Sequence, residues 1–172
     1  MISEKEIQAA VKKLADDIAC EYRGKDLVAI GILNGAYMFF ADLIRQIEIP
    51  VTIGFIQAKS YSGRKTTGVI RIQNGPAGIM ENKEVLLVED IVDSGLTIER
   101  LLKEVGKQNP RSIKVCTLLN KKARRQVQVP LDYVGFEVPD KFVVGYGMDF
   151  DNQFSNLPFI SVFDDSLDSS TD

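Results

Sequence analysis

Short apolar runs alternate along the chain with longer stretches in which apolar residues return every three or four positions, the mixture expected of strands and amphipathic helices in turn. Ile7, Val11, Leu14 and Ile18 recur at helical spacing behind a Ser3-x-x-Glu6 capping box, and Arg23-Gly24 ends that helix. Leu27–Leu33 is an unbroken apolar run of seven residues closed by Asn34-Gly35. Phe39, Phe40, Leu43 and Ile44 then mark one face of a helix over 37–46. Strand-like segments at 51–56 and 69–73 are separated by a polar excursion at 57–67 (QAKSYSGRKTT), where a mobile flap would sit. Residues 85–88 form a buried-strand run, Ile98, Leu101, Leu102 and Val105 a helix stripe, and 113–119 a further buried strand after Pro110. Strand, helix, strand at these lengths predicts parallel pairing through right-handed crossovers, hence an α/β fold. The last third, at 133–136, 142–146 and 159–163, reads as strand-rich between Pro130, Pro139 and Pro158, completing the sheet and adding a small cap.

Composition narrows the picture. At 172 residues, 45% hydrophobic and 26% charged, the chain is expected to form one domain over 1–163, followed by an acidic tail at 164–172 (DDSLDSSTD) too polar to pack. The longest apolar run falls far short of the roughly 20 residues that cross a bilayer, and MISEKEIQ has no signal pattern. The expectation is a soluble cytoplasmic protein that does not engage membrane, with Cys20 and Cys116 reduced. The chain has 0 histidines, which removes Ser-His-Asp and Cys-His nucleophiles, histidine-ligated zinc and an imidazole base. Acid–base chemistry falls to carboxylates, Lys, Tyr or water. Four of the 24 acidic residues lie in the last nine positions, so the first 163 residues, with all 21 basic residues, carry +1. A nearly neutral body argues against bulk attraction to nucleic acid.

The informative segment is residues 85–97, VLLVEDIVDSGLT. A buried strand delivers Glu89 and Asp90, then a small-residue loop carrying Asp93, to the start of a helix. In an open parallel sheet, ligands bind outside the carboxyl ends of the strands. Main-chain N–H groups of residues 94–97, helped by the Ser94 and Thr97 hydroxyls, make a seat for phosphate at the helix start. The adjacent carboxylates can accept hydrogen bonds from vicinal hydroxyls or hold magnesium. Phosphate donors beside hydroxyl acceptors describe a site for ribose 5-phosphate. An isolated Asp-Ser-Gly triplet is most often a helix cap with solvated acids beside it; two acids followed by a third after two apolar residues is a more demanding pattern.

This segment resembles the phosphoribosyl diphosphate (PRPP) motif of type I phosphoribosyltransferases, and the chain as a whole is similar to the hypoxanthine-guanine phosphoribosyltransferases among them. The resemblance spans nearly all of residues 1–163, through Leu33-Asn34-Gly35, Ser60-Tyr61, the acidic segment, Lys121 and the run VPDKFVVGY at 138–146. It implies a mainly parallel twisted sheet flanked by helices, with a small hood and a flexible flap holding Ser60 and Tyr61. It implies that Glu89 and Asp90 bind the ribose hydroxyls and that Asp93 is the acid–base group at purine N7. Asn34 and Gly35 then contact pyrophosphate, and Asp93, Ser94, Gly95, Leu96 and Thr97 wrap the 5-phosphate. Lys121 faces the purine 6-oxo group, Phe142 stacks on the ring, and Lys141 and Val143 line the base pocket. Magnesium is implied as cofactor, with Glu89, Asp90 and Asp149 as its carboxylates. The implied partners are PRPP, a 6-oxopurine base, pyrophosphate and IMP or GMP, with no nucleic acid and no membrane. A homodimer or homotetramer is also expected, since Tyr37, Met38, Phe39 and Phe40 are more aromatic than one helix needs for its own core.

The chain departs from the family pattern at Asn34 and Ser155, where the resemblance expects cations near pyrophosphate. The same resemblance implies a cis peptide at Leu33-Asn34. In the basic run 121–125, KKARR, it places Lys121 in the pocket and its neighbours outside. Two readings of other classes compete. One is an RNA-binding regulator on the same fold using that run with Arg64 and Lys65; the other is an acidic phosphoacceptor domain, which leaves 138–146 and the flap unexplained.

Overall fold

The structure is a computed structural model that describes residues 1–58, 70–73 and 78–163. Ser60, Tyr61, Arg64, Lys65 and the acidic tail lie outside the described residues. The elements run α1 (Glu4–Glu21), β1 (Leu27–Leu33), α2 (Tyr37–Gln46), β2 (Val51–Ala58), β3 (Ile70–Gln73), β4 (Glu84–Val92), α3 (Leu96–Gly106), β5 (Ser112–Asn120), a short 3-10 turn (Lys122–Arg124), β6 (Tyr133–Glu137), β7 (Val143–Val144) and β8 (Ser161–Val162).

The sheet order is β3-β2-β1-β4-β5-β6, with β2, β1, β4, β5 and β6 parallel and β3 antiparallel on the edge. The continuous apolar runs are explained by burial of both faces. Leu27 and Ala29 of β1, with Leu86 and Val88 of β4, pack under α1 and α2. Val28 and Ile30, with Val85 and Leu87, pack under Ile98, Leu101 and Val105 of α3. Each fully buried Leu, Ile or Val contributes about 1.5–3 kcal/mol, so the strands carrying the acidic motif are the best-anchored part of the molecule. The capping box forms as expected: Glu6 N–H donates to Ser3 Oγ at 3.4 Å and Ser3 N–H to Glu6 Oε2 at 2.8 Å.

Three expectations need correction. The strand at 85–88 runs further, to Val92, because its neighbour β5 continues alongside it to Asn120. The runs at 142–146 and 159–163 shrink to the two-residue strands β7 and β8, because Gly145, Tyr146 and Gly147 all take positive φ, at 102°, 51° and 101°, and bend the chain away from a ladder. Phe39 and Phe40 are buried in the core, where Phe40 meets Phe55 edge-on with ring centres 5.2 Å apart. The aromatic excess of α2 is therefore largely spent inside the subunit, leaving Tyr37 exposed. The small hood built on β7 and β8 also recruits Ile2, bridged to Ile160, which the sequence pattern did not indicate. Tyr146 Oη donates to Asp42 Oδ2 at 2.6 Å and ties the hood to α2.

Candidate active site

β1 and β4 stay in register from Leu27 opposite Glu84 to Gly31 opposite Val88. Glu89 and Asp90 follow immediately, at the carboxyl end of the sheet, and are only 9% and 7% exposed. Burial pushes the Glu89 carboxyl well above the usual glutamate range, and the charge of Asp90 beside it adds to the rise. Asp90 is raised as well, again through burial. Two desolvated acids at a strand end are not solvated bystanders.

A cleft of about 410 Å³ opens over them, lined by Asn34, Gly35, Glu89, Asp90, Asp93, Ser94, Gly95 and Thr97. Leu33-Asn34 is a cis peptide. Gly35 is packed so closely that a Cβ there would stand 2.1 Å from Asp90 Oδ2, so only glycine lets that loop lie against the acid. Gly95 starts α3 in the left-handed region at φ 84°, where a Cβ would also meet Val127 O at 2.7 Å. Leu96 N–H donates to Ser94 Oγ at 3.3 Å, so the Ser94 side chain supports the turn. Leu96 itself is 47% exposed and does not line the cleft, leaving only its main chain for the site.

A second cleft of about 300 Å³ shares Gly35, Asp90, Ile91 and Asp93 with the first and is completed by Lys121, Arg124, Phe142, Val143, Met148 and Asp149. Lys121 is 3% exposed, and its Nζ lies 3.4 Å from Asp93 Oδ1, which is buried and accepts no hydrogen bond. Phe142 presents its ring at 48% exposure, braced edge-on by Phe150 and Phe163 at 5.6 and 6.1 Å. Val143 is buried, whereas Lys141 is exposed and does not line the cleft. Asp149 is exposed at the cleft edge and accepts Asn152 N–H at 2.9 Å. Among the described residues no three carboxylate or thiol side chains gather into a cage for a metal ion. The hard oxygen donors Glu89, Asp90 and Asp149 fit magnesium that arrives with phosphate oxygens of its own, the way that ion is usually held.

The basic run is exposed at Lys122 and Arg124, but both cations are paired. Lys122 pairs with Glu137 at 3.1 Å and Arg124 with Asp140 at 2.5 Å, while Arg125 is half-buried and bonded to main-chain carbonyls. Lys121 is buried at the second cleft and its neighbour Lys122 is exposed, as expected, whereas Arg124 reaches the edge of that cleft and Arg125 lies behind the first. The available signal was topological: residues just past β5 must neighbour those just past β4. A larger cleft of about 720 Å³ opens beside Arg23, Lys25 and Thr52, at the amino ends of β1 and β2, away from the acids and from the end of a parallel sheet where ligands bind.

Residues 2–151 match the phosphoribosyl transferase domain family. The chain is 42% identical to a hypoxanthine phosphoribosyltransferase of Salmonella typhimurium over 163 residues, covering 93% of this chain and 92% of that one. It is 41% identical to a hypoxanthine-guanine phosphoribosyltransferase of Bacillus subtilis, covering 94% and 91%. Among solved structures, a hypoxanthine phosphoribosyltransferase from Staphylococcus aureus superposes with a TM-score of 0.89 at 36% identity, covering 97% and 91%. A hypoxanthine-guanine phosphoribosyltransferase from Bacillus anthracis superposes with a TM-score of 0.87 at 42% identity, covering 95% and 97%.

Proposed function

The chain belongs to the phosphoribosyl transferase family, and on that premise we propose that it transfers the 5-phosphoribosyl group of PRPP to N9 of hypoxanthine or guanine, releasing pyrophosphate and IMP or GMP. The observation that carries this reading is the pairing of buried Lys121 with the half-exposed Asp93 at the junction of the two clefts, 3.4 Å apart. It sets a donor and an acceptor side by side where a base must meet a sugar.

The first cleft takes the phosphoribosyl group. Main-chain N–H groups at 94–97 and the Thr97 hydroxyl receive the 5-phosphate, and Glu89 and Asp90 accept the ribose hydroxyls. The second cleft takes the base, with Phe142 on the ring face and Lys121 donating to O6. A 6-amino group would meet the ammonium donor with another donor, so adenine is disfavoured. With the base bound as its N7–H tautomer, the N9 lone pair forms the bond to C1 of the ribose as the bond from C1 to the pyrophosphate oxygen breaks. The Asp93 carboxylate accepts a hydrogen bond from N7–H and takes that proton as positive charge builds on the imidazole ring. Magnesium, when bound, neutralises charge on the diphosphate. Glu89, Asp90 and Asp149 are the residues that would hold it.

No helix among the described residues is long and apolar enough to cross a membrane; a cytoplasmic location is part of the proposal. The proposal includes a homodimer or homotetramer, tested by light scattering. The deciding assay supplies PRPP and magnesium with hypoxanthine, guanine, xanthine or adenine in turn. Nucleotide formed with hypoxanthine or guanine and not with adenine is expected; no nucleotide from either 6-oxopurine would overturn the proposal.

A further inference from the structure

Behind the anion cleft, the carbonyls of three successive residues are all held from one side. Arg125 Nε donates to Asp93 O at 3.0 Å, and one of its terminal nitrogens donates to Val92 O at 3.2 Å and to Asn120 Oδ1 at 2.6 Å. The main-chain N–H groups of Gln126 and Val127 donate to Ser94 O at 2.9 and 3.1 Å. Asn120 is buried and fixed in turn, its Nδ2 donating to Glu137 Oε1 at 2.9 Å. The missing Cβ of Gly95 leaves room for this arrangement, since it would stand 3.2 Å from Arg125 Cδ.

Peptide planarity gives these bonds a consequence. In a trans peptide the carbonyl and the N–H of the next residue point in opposite directions, and the only cis bond among the described residues is Leu33-Asn34. Drawing the carbonyls of Val92, Asp93 and Ser94 backwards therefore turns the N–H groups of Asp93, Ser94 and Gly95 forwards, to the side on which these residues line the cleft. Without the guanidinium, the Asp93 carbonyl loses its side-chain donor and its peptide plane is free to rotate, while the Val92 carbonyl keeps only the Lys121 N–H at 3.0 Å. A carbonyl facing an incoming phosphate would repel it.

We propose that Arg125 is a positioning residue for the anion seat, a cation that works through the carbonyls of Val92 and Asp93 without touching the phosphate itself. The proposal rests on the reading of residues 94–97 as the 5-phosphate seat. Its fork geometry is essential, because one planar group spans two carbonyls and the Asn120 amide oxygen, which an ammonium cannot do.

The test compares Arg125→Met and Arg125→Lys with wild type in binding of IMP and of inosine, which lacks the phosphate, alongside KM for PRPP and for hypoxanthine. Thr97→Val serves as a probe of the seat itself. Loss of charged hydrogen bonds worth roughly a factor of 10 to 100 in affinity is expected to appear in R125M for IMP and PRPP. Inosine binding and the hypoxanthine KM should move by less than about threefold, the order of one weak contact. R125K should fall between, and low millimolar guanidinium should restore part of the R125M affinity and none to wild type. Where R125M does not yield folded protein, R125K carries the comparison. Equal losses for IMP and inosine would mean a merely structural role and overturn the proposal. A loss in T97V without one in either Arg125 variant would also overturn it while leaving the seat standing. No loss of IMP affinity in any variant would instead remove the 5-phosphate reading of residues 94–97.

Discussion

Lys121 Nζ sits 3.4 Å from Asp93 Oδ1 because strand register brings the two together across 28 positions of sequence. Val92 pairs with Asn120 at the end of the parallel β4–β5 ladder, and Asp93 and Lys121 are the next residue on each side. Lys121 N–H donates to Val92 O at 3.0 Å, extending the ladder by one more bond. The pair is therefore fixed by the best-packed part of the sheet. Removing the Asp93 charge should lower kcat by about 10²–10⁴-fold, the usual worth of a positioned acid–base group. Asp93→Asn keeps the shape of the site, so IMP affinity should stay within a few-fold of wild type. Steady-state rates with hypoxanthine, read beside IMP titrations, check both halves; a kcat within threefold of wild type would remove Asp93 from the chemistry.

Glu89 should show the cost of a site built from desolvated acids. Its folded-state pKa is raised by burial, so the folded protein holds a proton more tightly than the unfolded chain does. The sign follows from linkage. The charged form is penalised in the fold, the penalty is fully present above the raised pKa, and it disappears as pH falls below the ordinary glutamate range. Glu89→Gln in metal-free, ligand-free protein should therefore raise Tm at pH 8 and make little difference near pH 4. The same change should weaken PRPP binding, because a neutral amide presents one acceptor oxygen where the carboxylate presented two. Thermal melts across that pH range, with EDTA present, check the first part; a Tm lowered at pH 8 would contradict it.

Much of this was legible in the chain because both signals are local. Apolar runs such as Leu27–Leu33 declare themselves as strands when both faces are covered, and Ser3 with Glu6 declares a helix start. The acids at 89, 90 and 93 stand out because carboxylates rarely end a buried strand without work to do. What escaped was set by tertiary contact or by backbone conformation. The β-propensity of 142–146 promised a strand that the left-handed turn at Gly145, Tyr146 and Gly147 cuts to two residues. Arg125 reads as one more cation in a basic loop until register places it behind the residues after β4. The bridge from Ile2 to Ile160 joins the two ends of the described chain, which no window of neighbouring residues can reveal.

Gly35 should be intolerant of even a methyl group. The Cβ of an alanine would meet Asp90 Oδ2 at 2.1 Å, and Gly147, whose own Cβ would stand 2.2 Å from Gly35 O, hems the loop in from the hood side. Either Asp90 or the Asn34-Gly35 loop must move, and overpacking of this kind costs about 1–3 kcal/mol. Gly35→Ala should lose PRPP binding by at least tenfold with a Tm drop of several degrees, while guanidinium unfolding remains a single transition. Calorimetric titration with magnesium and PRPP checks it; unchanged affinity would show that the loop gives way without disturbing Asp90.

The two cysteines should separate cleanly by reactivity. Cys116 is fully buried in β5, and burial pushes its thiol far above the usual range, whereas Cys20 is exposed on α1. Only the thiolate reacts, so an aromatic disulfide reagent should label one thiol per chain rapidly in native protein and the second only as fast as the fold opens. Stopped-flow labelling with and without denaturant checks this. Rapid reaction of both thiols in native buffer would mean that β5 is not protected as its packing requires.

Asn34 gives the last test, and it concerns charge. The first cleft is lined by the carboxylates Glu89, Asp90 and Asp93 and, among the described residues, by no lysine or arginine. A polyanionic diphosphate entering that cleft meets three acids and is favoured only by main-chain donors, hydroxyls and any cation it brings with it. Placing an ammonium at position 34 should offset part of that repulsion. Residue 34 is exposed, so solvent screens the new charge and the gain is limited to about 0.2–1 kcal/mol, or up to roughly fivefold in affinity. Asn34→Lys should therefore lower the KM for PRPP by a few-fold at low ionic strength. The advantage should fade as salt rises towards 0.5 M, where the Debye length is only about 4 Å, and hypoxanthine KM should not respond. A PRPP KM that ignores the substitution at every salt concentration would place the diphosphate away from the Asn34 loop.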